Sequence, residues 1–294
     1  MSSQHNAVLY EYGLFDDEDK YCKNQQQFKA ILNSGFTTVI LWTIHVNEKG
    51  DLYYNDNLIV QNGMFEKQYY YLPKLINNLK SGNLVKTVVL GLSSGGTSDF
   101  KHIKDMFASS TGKETLLTNF KVLIDELPID GFDFDLEEFP LENYTDTIVQ
   151  LTLELDKYVK IITYCPYCDE DFWLDCLVQV YAKNDSKQIV SWFNLQCYDG
   201  GSGNNPEVWA KKIISYPSPL GILDSEAFIV PGYWCLYQSP EEVQDIFREL
   251  KQTDKGINGG FIWNSSDIFK VKHDPKDYAQ AILQGLDPTI RAHC

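Results

Sequence analysis

The chain is short of positive charge: 25 lysines and arginines stand against 41 aspartates and glutamates, a formal net charge of −16 over 294 residues. Such a surface repels phosphate backbones, so nucleic acid is not an expected partner. No stretch approaches the ~20 consecutive apolar residues of a membrane helix, and no membrane partner is expected. The start, Met1-Ser-Ser-Gln-His-Asn6, shows no basic segment followed by an apolar core, so no signal peptide is visible. The expectation is a cytoplasmic protein, one exported by a leaderless route, or a secreted one whose leader has been removed. The seven cysteines are odd in number and scattered, and reduced core thiols are the default at this length. Cys165-Pro-Tyr-Cys168 has dithiol spacing, but it falls mid-chain rather than at the start of a small βαβ domain. No linker rich in proline, glycine or serine divides the sequence. One domain over residues 1–294 is expected, long enough to bury a large core.

What the chain does have is an ordinary hydrophobic content of 44% and an aromatic content of 14%, which rules out wholesale disorder. Aromatic richness with few cations fits a neutral, ring-bearing ligand such as carbohydrate. Eight apolar, β-rich runs recur along the chain: 6–13, 36–46, 86–96, 129–138, 160–167, 190–201, 228–236 and 259–268. Several are nearly continuous in aliphatic and aromatic residues, as strands buried on both faces should be. Helical spacing fills the gaps, as in Leu116, Leu117, Phe120, Leu123, Ile124 and Leu127, and again in Leu141, Tyr144, Ile148, Leu151 and Leu155. Ser239-Pro240-Glu241-Glu242 and Asp274-Pro275 read as helix starts, and Gly285 as a stop. This alternation predicts an α/β fold, a single (β/α)8 TIM barrel. The stretch 50–63 reads as a small hairpin with Asn55-Asp56-Asn57 near its tip, on the catalytic face of such a barrel.

The informative segment is Asp130-Gly-Phe-Asp133-Phe-Asp135-Leu-Glu137-Glu138. Strand alternation puts Asp133, Asp135 and Glu137 on one face and Phe132, Phe134 and Leu136 on the other. The apolar face suits the surrounding helices, so the three carboxyls point into the barrel, where burial is costly. At a spacing of ~7 Å like charges couple, and one or more of these pKa values should rise. The outermost, Glu137, lies where barrel enzymes place their chemistry, and it is the general-acid candidate kept protonated by its neighbours. Asp130 falls out of alternation and is expected to fix the strand's start, while Glu138 points to the other face. A metal would need further ligands, and neither metal nor cofactor is expected.

The same residues resemble the D-G-x-D-x-D-x-E signature on the fourth strand of glycoside hydrolase family 18, which holds chitinases and endo-β-N-acetylglucosaminidases. Ser93-Ser94-Gly95-Gly96 is similar to that family's third-strand S-x-G-G. Gln196-Cys197-Tyr198-Asp199 is similar to its sixth-strand motif, and Gly259-Gly260-Phe261-Ile262-Trp263 to its eighth-strand run ending in tryptophan. The resemblance implies retaining, substrate-assisted hydrolysis of a carbohydrate containing N-acetylglucosamine, through an oxazolinium intermediate. Glu137 would protonate the leaving oxygen and later activate water. Asp135 would hold the acetamido N–H, and Asp133 would share a proton with Asp135. Tyr198 would hydrogen-bond the acetamido carbonyl and Trp263 would floor the subsite, with core filling as the alternative for both. Gln196 and Asp199 would contact the sugar. Tyr10 and Trp42 are read first as core packing and second as substrate-binding residues. Trp234-Cys-Leu-Tyr-Gln-Ser239 runs almost directly into a helix, so the α+β insertion of many family chitinases is absent and the cleft should be shallow. A monomer acting on chitin or chitooligosaccharides is expected, with the chitobiose core of N-glycans or silent sugar binding as alternatives.

Overall fold

The computed structural model describes residues 5–82 and 84–290. Its strands are β1 (Asn6–Tyr12), β2 (Thr38–Val46), β3 (Leu52–Tyr54), β4 (Asn57–Gln61), β5 (Met64–Phe65), β6 (Thr87–Leu92), β7 (Gly131–Phe134), β8 (Ile161–Tyr164), β9 (Val190–Gln196), β10 (Ile229–Trp234) and β11 (Gly259–Trp263). Parallel pairing runs β1–β2–β6–β7–β8–β9–β10–β11, and β11 returns to β1 with Asn6 opposite Gly259. Eight strands thus close a barrel, as the sequence predicts. All eight apolar runs became barrel strands, and every strand is shorter than its run. Beyond the C-terminal ends of most of them the ladder partners run out and β-like sequence continues as loop.

The helices are α1 (Glu18–Lys23), α2 (Gln25–Leu32), α3 (Leu72–Ser81), α4 (Asp99–Phe107), α5 (Ser110–Glu126), α6 (Thr145–Leu155), α7 (Glu170–Lys183), α8 (Pro206–Ser215), α9 (Pro240–Thr253), α10 (Ser265–Lys270) and α11 (Pro275–Leu286). They fill the seven connections between barrel strands and the segment after β11, with a pair of helices in the β1–β2 and β6–β7 connections and after β11. Ser239 and Glu242 form a reciprocal capping box at α9, and Asp274 caps α11. Two expectations are corrected. Ile268 belongs to α10 rather than to the last strand, because Asn264 caps a helix there by accepting from Asp267 N–H at 3.0 Å. Gly285 does not stop a helix but lies inside α11, where a Cβ would come within 2.5 Å of Phe247 Cβ on α9. Its lack of a side chain lets the two helices approach closely.

Packing follows the alternation. Phe132, Phe134 and Leu136 are buried in the large cluster between strands and helices, each stabilising the fold by roughly 1.5–3 kcal/mol relative to exposure. A smaller cluster fills the barrel interior, with Val8, Ile40, Val89, Val230 and Phe261 below Tyr10 and Tyr198. The expected hairpin is β3 and β4, extended by β5 and paired antiparallel onto the end of β2. Between β10 and α9 lie only residues 235–239, so no insertion domain stands there.

Candidate active site

The site is built on the end of β7. The regular strand stops at Phe134, short of the expected Glu138, yet Asp135 N–H still bonds Leu92 carbonyl at 3.0 Å, so the alternation carries on into the loop. Asp133 is fully buried, Asp135 is 5% exposed, and Glu137 is half-buried at the opening. The three acids therefore climb from the barrel interior to its C-terminal mouth. Their flanking acids hold the segment in place. Asp130 receives the Lys80 ammonium on both oxygens at 2.8 Å and the Val88 N–H at 2.8 Å. Glu138 faces away and takes the Phe100 and Lys101 N–H groups at 2.7 and 3.0 Å, capping α4 in place of Ser98. Gly95 gives the acid room: a Cβ there would lie 2.6 Å from Glu137 Oε2.

Asp133 is held by three neutral donors from three other strands. Tyr10 O–H donates to its Oδ2 at 2.7 Å, and Thr163 O–H and Asn194 Nδ2 donate to its Oδ1 at 2.5 and 2.9 Å. Burial raises its pKa, and these donors only partly offset the rise. Asp135 is pushed well above the usual carboxylate range, chiefly by burial, then by the charges of Glu137 and Asp133 and by a hydrogen bond shared with Glu137. The Trp42 indole N–H offsets part of this, though it makes no hydrogen bond of full geometry. Each oxygen of Asp133 already has a donor, and the acid that Asp135 meets with a hydrogen bond is Glu137. Gln196 Nε2 bridges the pair, reaching Asp135 Oδ1 at 3.1 Å and Glu137 Oε1 at 3.2 Å.

A cavity of about 290 Å³ opens above these acids. Every sequence-nominated site residue except Asp133 lines it: Tyr10, Trp42, Asp135, Glu137, Gln196, Tyr198, Asp199 and Trp263. Trp42 and Trp263 pack edge to face with centroids 5.0 Å apart, and Tyr10 meets Trp263 at 5.4 Å. The Trp42–Thr43 and Trp263–Asn264 peptides are cis. Tyr10 is more than packing, since its hydroxyl anchors Asp133 from beneath the cleft. Burial, and then neighbouring anionic groups, hold the Tyr10 and Tyr198 hydroxyls protonated and so available as donors. Asp199 sits exposed at the rim and accepts from Tyr237 O–H at 3.1 Å. The lining contains no lysine, arginine or histidine. Among the described residues no group of three or more His, Cys, Asp and Glu is arranged to hold a metal.

Sequence reasoning missed Thr163, Asn194 and Tyr167. A signal existed for two of them: Asn194 shares a face with Gln196 two residues on, and Thr163 with Cys165. Cys165 itself is buried at the cavity floor, with its Sγ 3.2 Å from the Tyr10 hydroxyl oxygen. All described cysteines are free, and burial next to Asp135 and Asp133 raises the Cys165 pKa well above the usual thiol value. A protonated, enclosed thiol is a poor nucleophile, which weighs against the dithiol reading. A second cavity, of about 310 Å³, lies at the opposite, N-terminal end of the strands, lined by His5, Thr37, Lys86 and Trp192 among others. Conserved chemistry in barrels belongs to the other end, where the acids are.

No protein-family model and no curated protein sequence matches the chain. Solved structures do. A fungal endo-β-N-acetylglucosaminidase of glycosyl hydrolase family 18 superposes with a TM-score of 0.65 at 14% identity, covering 97% of this chain and 99% of that one. A family 18 chitinase from the chitin utilization locus of Flavobacterium johnsoniae gives 0.60 at 12% identity, with 98% and 95% covered. A chitinase-like agglutinin from Robinia pseudoacacia gives 0.59 at 10% identity, with 95% and 99% covered. What the chain shares with these proteins is the closed barrel, over almost its whole length.

Proposed function

We propose that this protein is a retaining glycoside hydrolase that cleaves β-1,4-linked N-acetylglucosamine, in chitin or chitooligosaccharides, by substrate-assisted catalysis. The observation that carries this reading is the ascending row Asp133, Asp135, Glu137 under an aromatic-walled cleft free of cations. Such a cleft suits an uncharged sugar, whose apolar faces stack on rings while its polar edges meet carboxyls and hydroxyls. Glu137, at the opening, protonates the glycosidic oxygen as the C1–O bond breaks. The substrate's own acetamido oxygen closes on C1, giving an oxazolinium ion. Asp135 takes the acetamido N–H, and the protonated Tyr198 donates to the acetamido oxygen. Glu137 then removes a proton from water as it attacks C1, and configuration is retained.

One observation favours a second substrate within the same chemistry. The five-residue passage from β10 to α9 leaves that side of the cleft unwalled, which also admits the branched chitobiose core of an N-glycan. A silent sugar-binding protein is the weaker reading, since the acid and both aspartates are present together. The test is fluorophore release from a di-N-acetylchitobioside by the wild type and by Glu137→Gln. The substitution is expected to cost about 10²–10⁴-fold in turnover while oligosaccharide binding persists. A wild type that binds but never cleaves would leave only the lectin reading. Product analysis on chitotetraose beside a high-mannose glycoprotein separates the two substrates.

A further inference from the structure

Trp42 is both a wall of the cleft and an indole that acts on Asp135, yet its backbone has left the β6 ladder, where the register shifts between Leu41 and Ile44. On its other side Trp42 is the last β2 residue in register with β1, opposite Tyr12, so its main chain is held on one side only unless a further contact is made. The tip of the β3–β4 hairpin makes it. Asn55 N–H donates to Thr43 carbonyl at 2.9 Å. Its side-chain oxygen accepts from Thr43 N–H at 3.3 Å, and its Nδ2 donates to Trp42 carbonyl at 3.3 Å. One side-chain amide thus meets both polar groups of the Trp42–Thr43 peptide. The same Nδ2 donates to Asp16 Oδ1 at 2.7 Å, and the other oxygen of Asp16 takes the Lys20 ammonium at 2.6 Å.

We propose that Asn55 is a positioning residue for substrate binding: its amide clamps the Trp42 main chain and ties it, through Asp16 and Lys20, to the β1–α1 loop, so that the indole stands between Asp135 and Trp263. The residue type fits the place twice over. Asn55 has φ +50°, a conformation asparagine tolerates better than most side chains, and a primary amide both donates and accepts. Asp56 and Asn57, beside it at the tip, are exposed.

The binding role rests on the glycosidase reading, whereas the clamp does not, and the experiment separates them. Asn55→Gly keeps the turn's left-handed backbone and removes only the amide. Its indole ¹H–¹⁵N resonances are compared with wild type and with Asn57→Ala, the Trp42 signal being assigned by Trp42→Phe. The clamp predicts that the Trp42 indole signal moves or broadens in Asn55→Gly and stays in place in Asn57→Ala. An unmoved signal overturns the proposal whatever the protein's activity. In chitooligosaccharide titration, Asn55→Gly is expected to weaken affinity about tenfold, the scale of one net hydrogen bond. That loss should vanish when Trp42→Phe is already present; a loss persisting in that background would mean that Asn55 does not act through Trp42. If the wild type binds no such sugar, the glycosidase reading falls and the resonance test still decides the clamp.

Discussion

Gly95 offers the sharpest test of how the acid is seated. An alanine Cβ at this position would lie 2.6 Å from Glu137 Oε2, whereas ordinary contact begins at 3.4 Å, so the carboxyl must give way by 3.4 − 2.6 = 0.8 Å. Gly95 is exposed and its φ is not in the left-handed region, so the backbone accepts a side chain without strain. The atom it meets is the end of a flexible side chain. Stability should therefore change by no more than about 0.5 kcal/mol. Catalysis is less forgiving, because a misplacement of about 1 Å can cost on the order of a hundredfold. Gly95→Ala is expected to lower kcat roughly 30- to 100-fold, or about 2–2.7 kcal/mol in the barrier. KM should stay close to wild type, since Tyr198, Trp263 and Trp42 are untouched. Steady-state kinetics on a fluorogenic chitobioside, beside a thermal melt, read both quantities. A variant that melts with wild type and turns over at the wild-type rate would refute the placement of Glu137 as the proton donor.

Three further outcomes follow from the same geometry. Asp135→Asn keeps the shape and removes a buried acid, so it should cripple turnover while leaving the melt unchanged or slightly higher; undiminished turnover would argue against acetamido participation. Glu11 is fully buried, and burial lifts its pKa from 4.5 to about 8, offset in part by the Leu14 N–H. A carboxyl with a raised folded-state pKa favours the fold most below its unfolded value, and that contribution is lost as pH climbs toward 8. The wild type should therefore lose thermal stability between pH 4.5 and about 8, and a Glu11→Gln variant with the same slope would contradict this. Thiol titration of the native protein should label the exposed Cys22 quickly and Cys165, Cys176 and Cys235 only after unfolding; rapid native labelling of Cys165 would contradict its burial.

The barrel was legible because a two-residue period leaves little choice. Once Phe132, Phe134 and Leu136 need an apolar layer, Asp133, Asp135 and Glu137 must face the interior, and this held even after the regular strand ended at Phe134. What could not be read was which strands supply the donors around Asp133. Tyr10, Thr163 and Asn194 lie 123, 30 and 61 positions away, and only closure of the barrel, with its particular stagger, brings them to one carboxyl. The contact of Gln196 with both Asp135 and Glu137 was equally hidden, since it depends on closure of the barrel rather than on their order in the chain. Gly285 shows a third limit: a glycine near a helix end serves chain reversal or close packing, and the sequence does not distinguish these.

Gln196 touches one oxygen of each carboxyl in the Asp135–Glu137 pair and leaves the other two oxygens free of it. One amide at the end of β9 thus sets where both carboxyls stand, so the spacing of the two acids is held by a residue of another strand. A change at Gln196 would loosen the two acids together, whereas a change at either acid leaves the other its tether.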